Sequence, residues 1–435
     1  MISVILFALL ASASTAFFLL NAKRVRRNIL LGHDIDLSDN KSQRFKTMLR
    51  VAFGQSKMTT RPVAAVMHLF VYIGFVLINA EVLEMFIDGL FRTHRVFSFL
   101  GSTYNFLIGF FEVLAFLVTL GCVVFLIRRN VVKVKRFLNK ELDGWPRSDA
   151  NIILCSEIIL MSALMLMNAA DQTLQARGNE HYHVAGSFPL SQFVAPMLSG
   201  MSDNSLIMIE RSCWWLHIFG IFGFLNYLPY SKHFHILLAF PNTYYSNLNK
   251  KGKFANLTTV TDVVKPNFDP NYQPVTDPNN PQRFGAKDVF DLNWKQLLDA
   301  YTCTECGRCT SSCPQNITGK ALSPRKIMMD TRDRLVEVGK NIDKNGGTFV
   351  DDGKSLLGDY ITNEEIWACN TCNACVQECP INIDPISIIM DMRQYLVMEQ
   401  SAAPTELNGM FSNVENNGAP WQFSPSDRAN WTKEN

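Results

Sequence analysis

Eight of the eleven cysteines stand in two copies of one spacing, CxxCxxCxxxCP: Cys303, Cys306, Cys309 and Cys313, then Cys369, Cys372, Cys375 and Cys379. Four soft thiolates per copy, the first three closely spaced on one looping segment, form the ligand set of a 4Fe-4S cluster, so the pattern predicts two clusters. Zinc sites usually take two CxxC pairs, or one pair with histidines, and no histidine follows His235. Disulfides fit poorly, because the charge pattern described below places this segment in the cytoplasm, where thiols stay reduced. In two-cluster ferredoxin-type domains the last cysteine of each run ligates the other cluster. By that rule Cys303, Cys306, Cys309 and Cys379 hold one cluster, and Cys369, Cys372, Cys375 and Cys313 the second. Pro314 and Pro380 turn the chain away without needing a backbone donor.

Histidines carry the second signal. Among the eight in the chain, His68, His217 and His235 lie in or beside apolar segments, where an ionisable group is costly and points to function. On one continuous helix, His217 and His235 would be five turns apart on a single face, about 27 Å along the axis. That arrangement suits two b-type haems stacked across a bilayer, the inner one clamped between His68 and His235. A lone helical histidine is more often a packed core residue, and the outer position is the weaker: opposite His217 the second apolar segment offers only Ile78, Asn79 and Glu81. Glu112 and Glu157 are acids at membrane depth, candidates for proton movement at a quinone site, with helix-end or paired acids as the plain alternative. The HxH of His181 and His183 lacks a third ligand nearby in sequence and reads as a solvated or quinol-lining loop. Cys122, Cys155 and Cys213 read as core residues.

The elements that must position these residues divide the chain. A formal charge of +2 and 48% hydrophobic residues average an apolar first half with a polar second half. Five apolar runs, Ile2 to Leu20, Val63 to Ile87, Tyr104 to Ile127, Ile152 to Asn168 and Cys213 to Leu228, each approach the ~17–25 residues that cross a bilayer core. Residues 23–61 carry ten Lys and Arg and residues 128–147 carry seven, against two in 88–103 and one in 171–210. The positive-inside rule then puts the basic loops in the cytoplasm and the N-terminus outside, and an odd number of crossings leaves the cysteine-rich half inside. The first run resembles a signal peptide in its ASASTA stretch, but no Lys or Arg precedes it and four follow it, which is the charge order of an anchor. Residues 242–290, rich in Pro, Asn and Asp, read as a linker. The segments KALSPRKIMMDTRDRLVEVG and DYITNEEIWACN between the cysteine runs read as helices.

Two resemblances add to this. LHIFGIFGFLNYLPYSKHFH, Leu216 to His235, resembles the last helix of the haem-b gamma subunit of membrane-bound respiratory nitrate reductase. His68 in RPVAAVMHLF stands where that family has its first histidine ligand, while its second falls near Ile78. LLDAYTCTECGRCTSSCPQNITGKALSPRKIM, the second cysteine run and ENNGAPWQFSPSDRANW resemble the membrane-bound heterodisulfide reductase family and its bacterial relatives. That family combines a haem-b membrane part, a two-cluster domain and a CCG domain, and no CCG motif occurs here, which implies a separate CCG-domain subunit or a flavoprotein as partner.

The expectation is an all-α chain: a five-helix transmembrane bundle over 1–241, a linker over 242–290, a helical two-cluster domain over 291–400, and a tail over 401–435 for partner docking. It would be an oxidoreductase subunit of a bacterial inner (cytoplasmic) membrane. It would relay electrons among quinone, haem b, two 4Fe-4S clusters and a cytoplasmic partner, with no catalytic residue of its own and no nucleic-acid partner. The alternatives are a plain electron wire for a dehydrogenase and a non-enzymatic redox sensor. The histidine pattern argues against a sensor, which needs no transmembrane redox path.

Overall fold

In an apolar surround the backbone must satisfy its own hydrogen bonds, so long apolar stretches fold as unbroken helices. The computed structural model describes residues 2–254, 256–275, 283–427 and 429–433. Its first half contains α1 (Ile2–Ile29), α2 (Lys41–Met48), α3 (Pro62–Phe91), α4 (Ser102–Leu126), α5 (Trp145–Ala176), the short α6 (Ala195–Leu198) and α7 (Asp203–Tyr227). α8 (His235–Tyr244) and α9 (Thr258–Val264) lead to α10 (Trp294–Thr302), α11 (Arg308–Ser311), α12 (Pro314–Ile317) and α13 (Pro324–Lys344). α14 (Asn363–Ala368), α15 (Ala374–Glu378), α16 (Pro385–Met398) and α17 (Thr405–Asn417) complete the chain, and no named strand occurs among the described residues.

α3 packs on α4, α4 on α5, α5 on α7, α7 on α1, and α1 back on α3, which closes a ring of five helices. Four of them are long and apolar enough to cross a membrane: Ser3–Ile29, Pro62–Phe91, Ser102–Val131 and Trp145–Ala176. α7 spans the same bundle but carries Asp203, Glu210 and Arg211 in its first half. Inside the ring Phe7, Ile78, Ile108, Leu164, Trp214, Ile218 and Phe222 form one buried core.

The polar half does not hang from this bundle on a free tether. Val25 and Ile29 of α1, together with Leu228, Phe234 and Ala239, belong to the core built by α10, α13 and α16, each buried aliphatic contributing about 1.5–3 kcal/mol. Asn28 donates to the Tyr301 hydroxyl at 2.9 Å, and Arg27 to the Gly339 carbonyl at 3.0 Å. The expected linker starts buried: Asn242 and Thr243 are fully enclosed, and Asn242 bonds Ile381 and Lys295. Its residues 276–282 lie outside the described residues, as do 428, 434 and 435 of the expected tail.

The expected helical segments between the cysteine runs are present as α13 and α14. Ser323 caps α13 from its side chain with Pro324 in the first turn, and Thr362 and Glu365 form a capping box on α14, the chemistry that satisfies the free N–H groups of a helix start.

One sequence expectation fails. His217 and His235 do not share a continuous helix, because α7 ends at Tyr227 and two 3-10 turns, Leu228–Tyr230 and Lys232–Phe234, intervene before α8. Pro229 cannot extend α7, and Ser231 adopts an extended backbone (φ −116, ψ 150). The five-turn spacing and the shared face therefore do not hold.

Candidate redox centres

The two cysteine runs fold alike. α10 ends on Cys303 and α14 ends on Cys369. Two and four residues later each run turns through left-handed backbone, at Glu305 and Gly307 in the first and at Thr371 and Asn373 in the second. A short helix follows, α11 or α15, and these two pack on each other. At Gly307 (φ +70) a Cβ would stand 2.4 Å from Arg325 Nη1 and 3.1 Å from the Arg136 carbonyl, so the turn has room for glycine alone.

The fold interleaves the runs. Cys379 of the second lines the same pocket, ≈ 350 Å³ of atom-free space, as Cys303, Cys306 and Cys309 of the first. Its thiol is close enough to Cys303 and Cys306 for each to perturb it, and Cys369 and Cys375 stand in the same relation to Cys313. Burial pushes the Cys303 thiol up to about 11 and the Cys379 thiol up to about 12, a tendency that a coordinated metal reverses by deprotonating its thiol ligands. Backbone N–H groups already point at sulfur: Thr371 at Cys369 Sγ (3.4 Å) and Ile383 at Cys379 Sγ (3.3 Å). No group of three or more His, Cys, Asp or Glu among the described residues closes up enough to hold one metal ion. That disfavours zinc, whose four ligands converge on one atom at about 2.3 Å for sulfur, and suits a cube that spreads its thiolates over separate irons.

Next to the first run lie His68 and His235. His68, two turns into α3, has Nδ1 3.0 Å from Gln55 Oε1; His235, the first residue of α8, has Nδ1 3.0 Å from the Lys232 carbonyl. A carbonyl only accepts, so His235 carries its proton on Nδ1 and leaves the Nε2 lone pair open, the usual outer-shell arrangement of a metal-binding imidazole. Sequence reasoning missed His233, although the HFH pair signals it: its ring centroid is 5.5 Å from that of His235 and 5.0 Å from that of Phe224. Burial holds the His233 imidazole down to about 3, and His235 is lowered by burial as well. Both stay neutral, as axial ligands must be.

An ion network ties these histidines to the first cysteine run. Lys232, three residues before His235, pairs with buried Glu305, and Arg332 of α13 reaches the other Glu305 oxygen at 2.8 Å. Burial pushes the Glu305 carboxyl up, but Arg332 and Lys232 outweigh it and hold it below the usual range. Arg308 donates to the Lys57 carbonyl at 3.0 Å, and Lys57 Nζ to the carbonyls of Val376 (3.2 Å) and Cys379 (3.0 Å). The loop entering α3 is thus stitched to both runs.

His217 is different. It is 3% exposed and its Nδ1 has no partner, yet the place opposite holds Ile78 in an apolar core filled by Phe7, whose ring lies 5.7 Å from Trp214 and 6.2 Å from Phe222. These neighbours offer no second axial donor, so the residues do not fit an outer haem. Glu112 is fully engaged by Ser191, Asn168 and the Leu190 N–H (2.7 Å), which fits the plain reading of a structural acid. At the end of the bundle away from the cysteines the fold brings His94 to His181 and His183, with ring centroids 5.5 Å from each. His94 Nε2 also lies 3.4 Å from Asp171. This third histidine comes from another loop and is invisible to local spacing.

Residues 302–383 match the 4Fe-4S dicluster domain family. The chain is similar to the probable iron-sulfur-binding oxidoreductase FadF of Bacillus subtilis, at 29% identity over 424 residues, 90% of this chain and 56% of that one. It is also similar to the EtfAB:quinone oxidoreductase of Syntrophomonas wolfei, at 27% identity over 95% of this chain and 57% of that one. A shorter match, 30% over 119 residues, 27% of this chain and 60% of the relative, is to an iron-sulfur-type relative from Methanosarcina acetivorans, one of the subunits of its ferredoxin/F(420)H(2)-dependent CoB-CoM heterodisulfide reductase. The chain spans little more than half the length of the first two relatives. No solved structure matches. These relatives are oxidoreductases or their subunits, and with the cysteine runs they support an electron-transfer role in an oxidoreductase.

Proposed function

We propose that this chain is the membrane electron-transfer part of a quinone-linked oxidoreductase, passing single electrons between the quinone pool and a cytoplasmic partner. The observation that carries the reading is the His68–His235 pair, at least one imidazole with Nδ1 fixed and Nε2 open, held against the first cysteine run by Lys232 and Glu305. Cys303, Cys306, Cys309 and Cys379 would hold one 4Fe-4S cluster and Cys369, Cys372, Cys375 and Cys313 the other; His68 and His235 would be the axial ligands of one haem b. These groups supply reversible one-electron chemistry. The residues of the chain supply the rest. Lys232, Glu305 and Arg332 fix the seam between haem and cluster sites, Gly307 shapes the first cysteine loop, and the apolar burial around His233 keeps water out.

Likeness to the EtfAB:quinone oxidoreductase favours a flavoprotein such as EtfAB as partner, and likeness to a heterodisulfide reductase component favours a CCG-domain protein. Dithionite-reduced protein in detergent tests the reading. Reduced b-type haem bands at one haem per chain, with iron and acid-labile sulfide near the eight atoms of each that two cubes require, are expected; absence of the haem bands overturns the quinone link.

A further inference from the structure

The second cysteine run borders a charged cleft that the electron-transfer role does not account for. α2, residues 246–254 and α16 enclose ≈ 2020 Å³ of atom-free space open to solvent. Lys46, Arg50, Lys250 and Lys251 are exposed along it, and among the described residues none of their side chains makes a hydrogen bond or ion pair. The two acids in the lining do not neutralise them. Asp384 caps α16 by accepting from Ile386 and Ser387 (3.0 and 3.3 Å), and Asp391 accepts from Gln296 at 2.6 Å. The cleft therefore presents uncompensated positive charge.

Its position gives that charge a use. Of the eight cysteines in the runs, Cys372 is the exposed one. Its neighbour Asn373 lines the cleft, and a Cβ built on Gly252 of the basic segment would lie 4.0 Å from Asn373 Nδ2. The first run is enclosed against the membrane half, so the second offers the open route to a partner.

We propose that this cleft docks a separate redox protein with an acidic contact face, and that electrons cross at Cys372. The proposal rests on the electron-transfer reading above and adds where the partner binds and what charge it carries. Each transfer takes one electron from the reduced centre of one protein to the oxidised centre of the other, with no proton or bond exchanged. Cations around an exit raise the encounter rate of anions about 10-fold to 10³-fold, and salt screens the effect.

The full chain in detergent, reduced with dithionite, is mixed in stopped flow with ferricyanide, an anionic oxidant, or hexaamminecobalt(III), a cationic one. A fluorescein-labelled deca-glutamate peptide reads the cleft by anisotropy without any redox step. Lys250→Glu/Lys251→Glu is expected to slow ferricyanide about 10-fold at low salt, to speed hexaamminecobalt(III), and to abolish peptide binding. Lys320→Glu/Lys344→Glu, exposed and outside the cleft, is expected to move none of these. Unchanged ferricyanide rates and peptide binding in the cleft variant, or equal changes in the control, overturn the proposal. So does a cleft variant whose only change is loss of co-purifying acidic phospholipid, which would make the cleft a headgroup site. If neither oxidant bleaches the reduced chain, the electron-transfer reading fails instead, and the peptide still decides the charge of the cleft.

Discussion

His68 and His235 reach one seam from elements far apart in sequence, and His235 has its tautomer set by a backbone carbonyl. If they are the axial pair, His68→Ala and His235→Ala are each expected to remove the haem, whereas His217→Ala, packed among apolar side chains, should leave haem content unchanged. Pyridine haemochrome stoichiometry checks this, and a full haem complement in either of the first two variants would sink the ligand assignment. A second residue-scale test concerns charge. Burial pushes the Asp391 carboxyl up to about 6 from an ordinary value of 3.8. Between those values the folded chain binds a proton that the unfolded chain has released, so this group opposes folding increasingly as pH rises through that window. Asp391→Asn, still able to accept from Gln296, is expected to stabilise the chain by about 1–2 kcal/mol at neutral pH and to have no effect below about pH 4. Thermal melts at the two pH values measure it.

At the scale of elements, the cysteine runs were legible in the sequence because their geometry is local: a helix stop, two left-handed residues and a short helix, written twice. The break between α7 and α8 was not, because apolar periodicity continues through Leu228–Phe234 while Pro229 and the extended Ser231 redirect the chain. His94 beside His181 and His183, and Glu305 between Lys232 and Arg332, depend on loops from different parts of the chain meeting. No spacing rule reports that. The joint between the halves yields two expectations. Lys232→Met leaves the buried Glu305 carboxylate with Arg332 alone and should cost about 3 kcal/mol. Gly307→Ala forces a side chain into left-handed backbone against Arg325 and should cost about 1–3 kcal/mol. Both are expected to lower Tm together with iron content; a variant that loses neither would show that the joint does not support the first cysteine loop.

At the scale of the whole molecule, the side of the membrane is decided by where charge and loops fall. The basic loops 30–61 and 127–144 share the end of the bundle at which α1 enters the core of the cysteine-rich half, through Asn28 to Tyr301, Arg61 to Glu378 and the Arg136 carbonyl to Arg325. The loops 92–101 and 177–202, poor in Lys and Arg, meet at the other end, where Arg95 bonds Asp171 at 2.6 Å and His94 meets His181 and His183. α1, α4 and α7 run toward the cysteines and α3 and α5 run away, so α7 must return the chain across whatever thickness the other four span, despite its charged first half. Positive charge is retained on the cytoplasmic side, which puts the cysteine-rich half inside and the histidine-bearing loops outside. Gly178 and Gly346 sit in open space at opposite ends, and an epitope inserted after either should leave the fold intact. Antibody is expected to reach the tag at Gly178 in intact spheroplasts and the tag at Gly346 only after lysis. Labelling of both before lysis would show that α7 does not cross, and the reverse pattern would invert the orientation and place the basic cleft on the wrong side for a cytoplasmic partner.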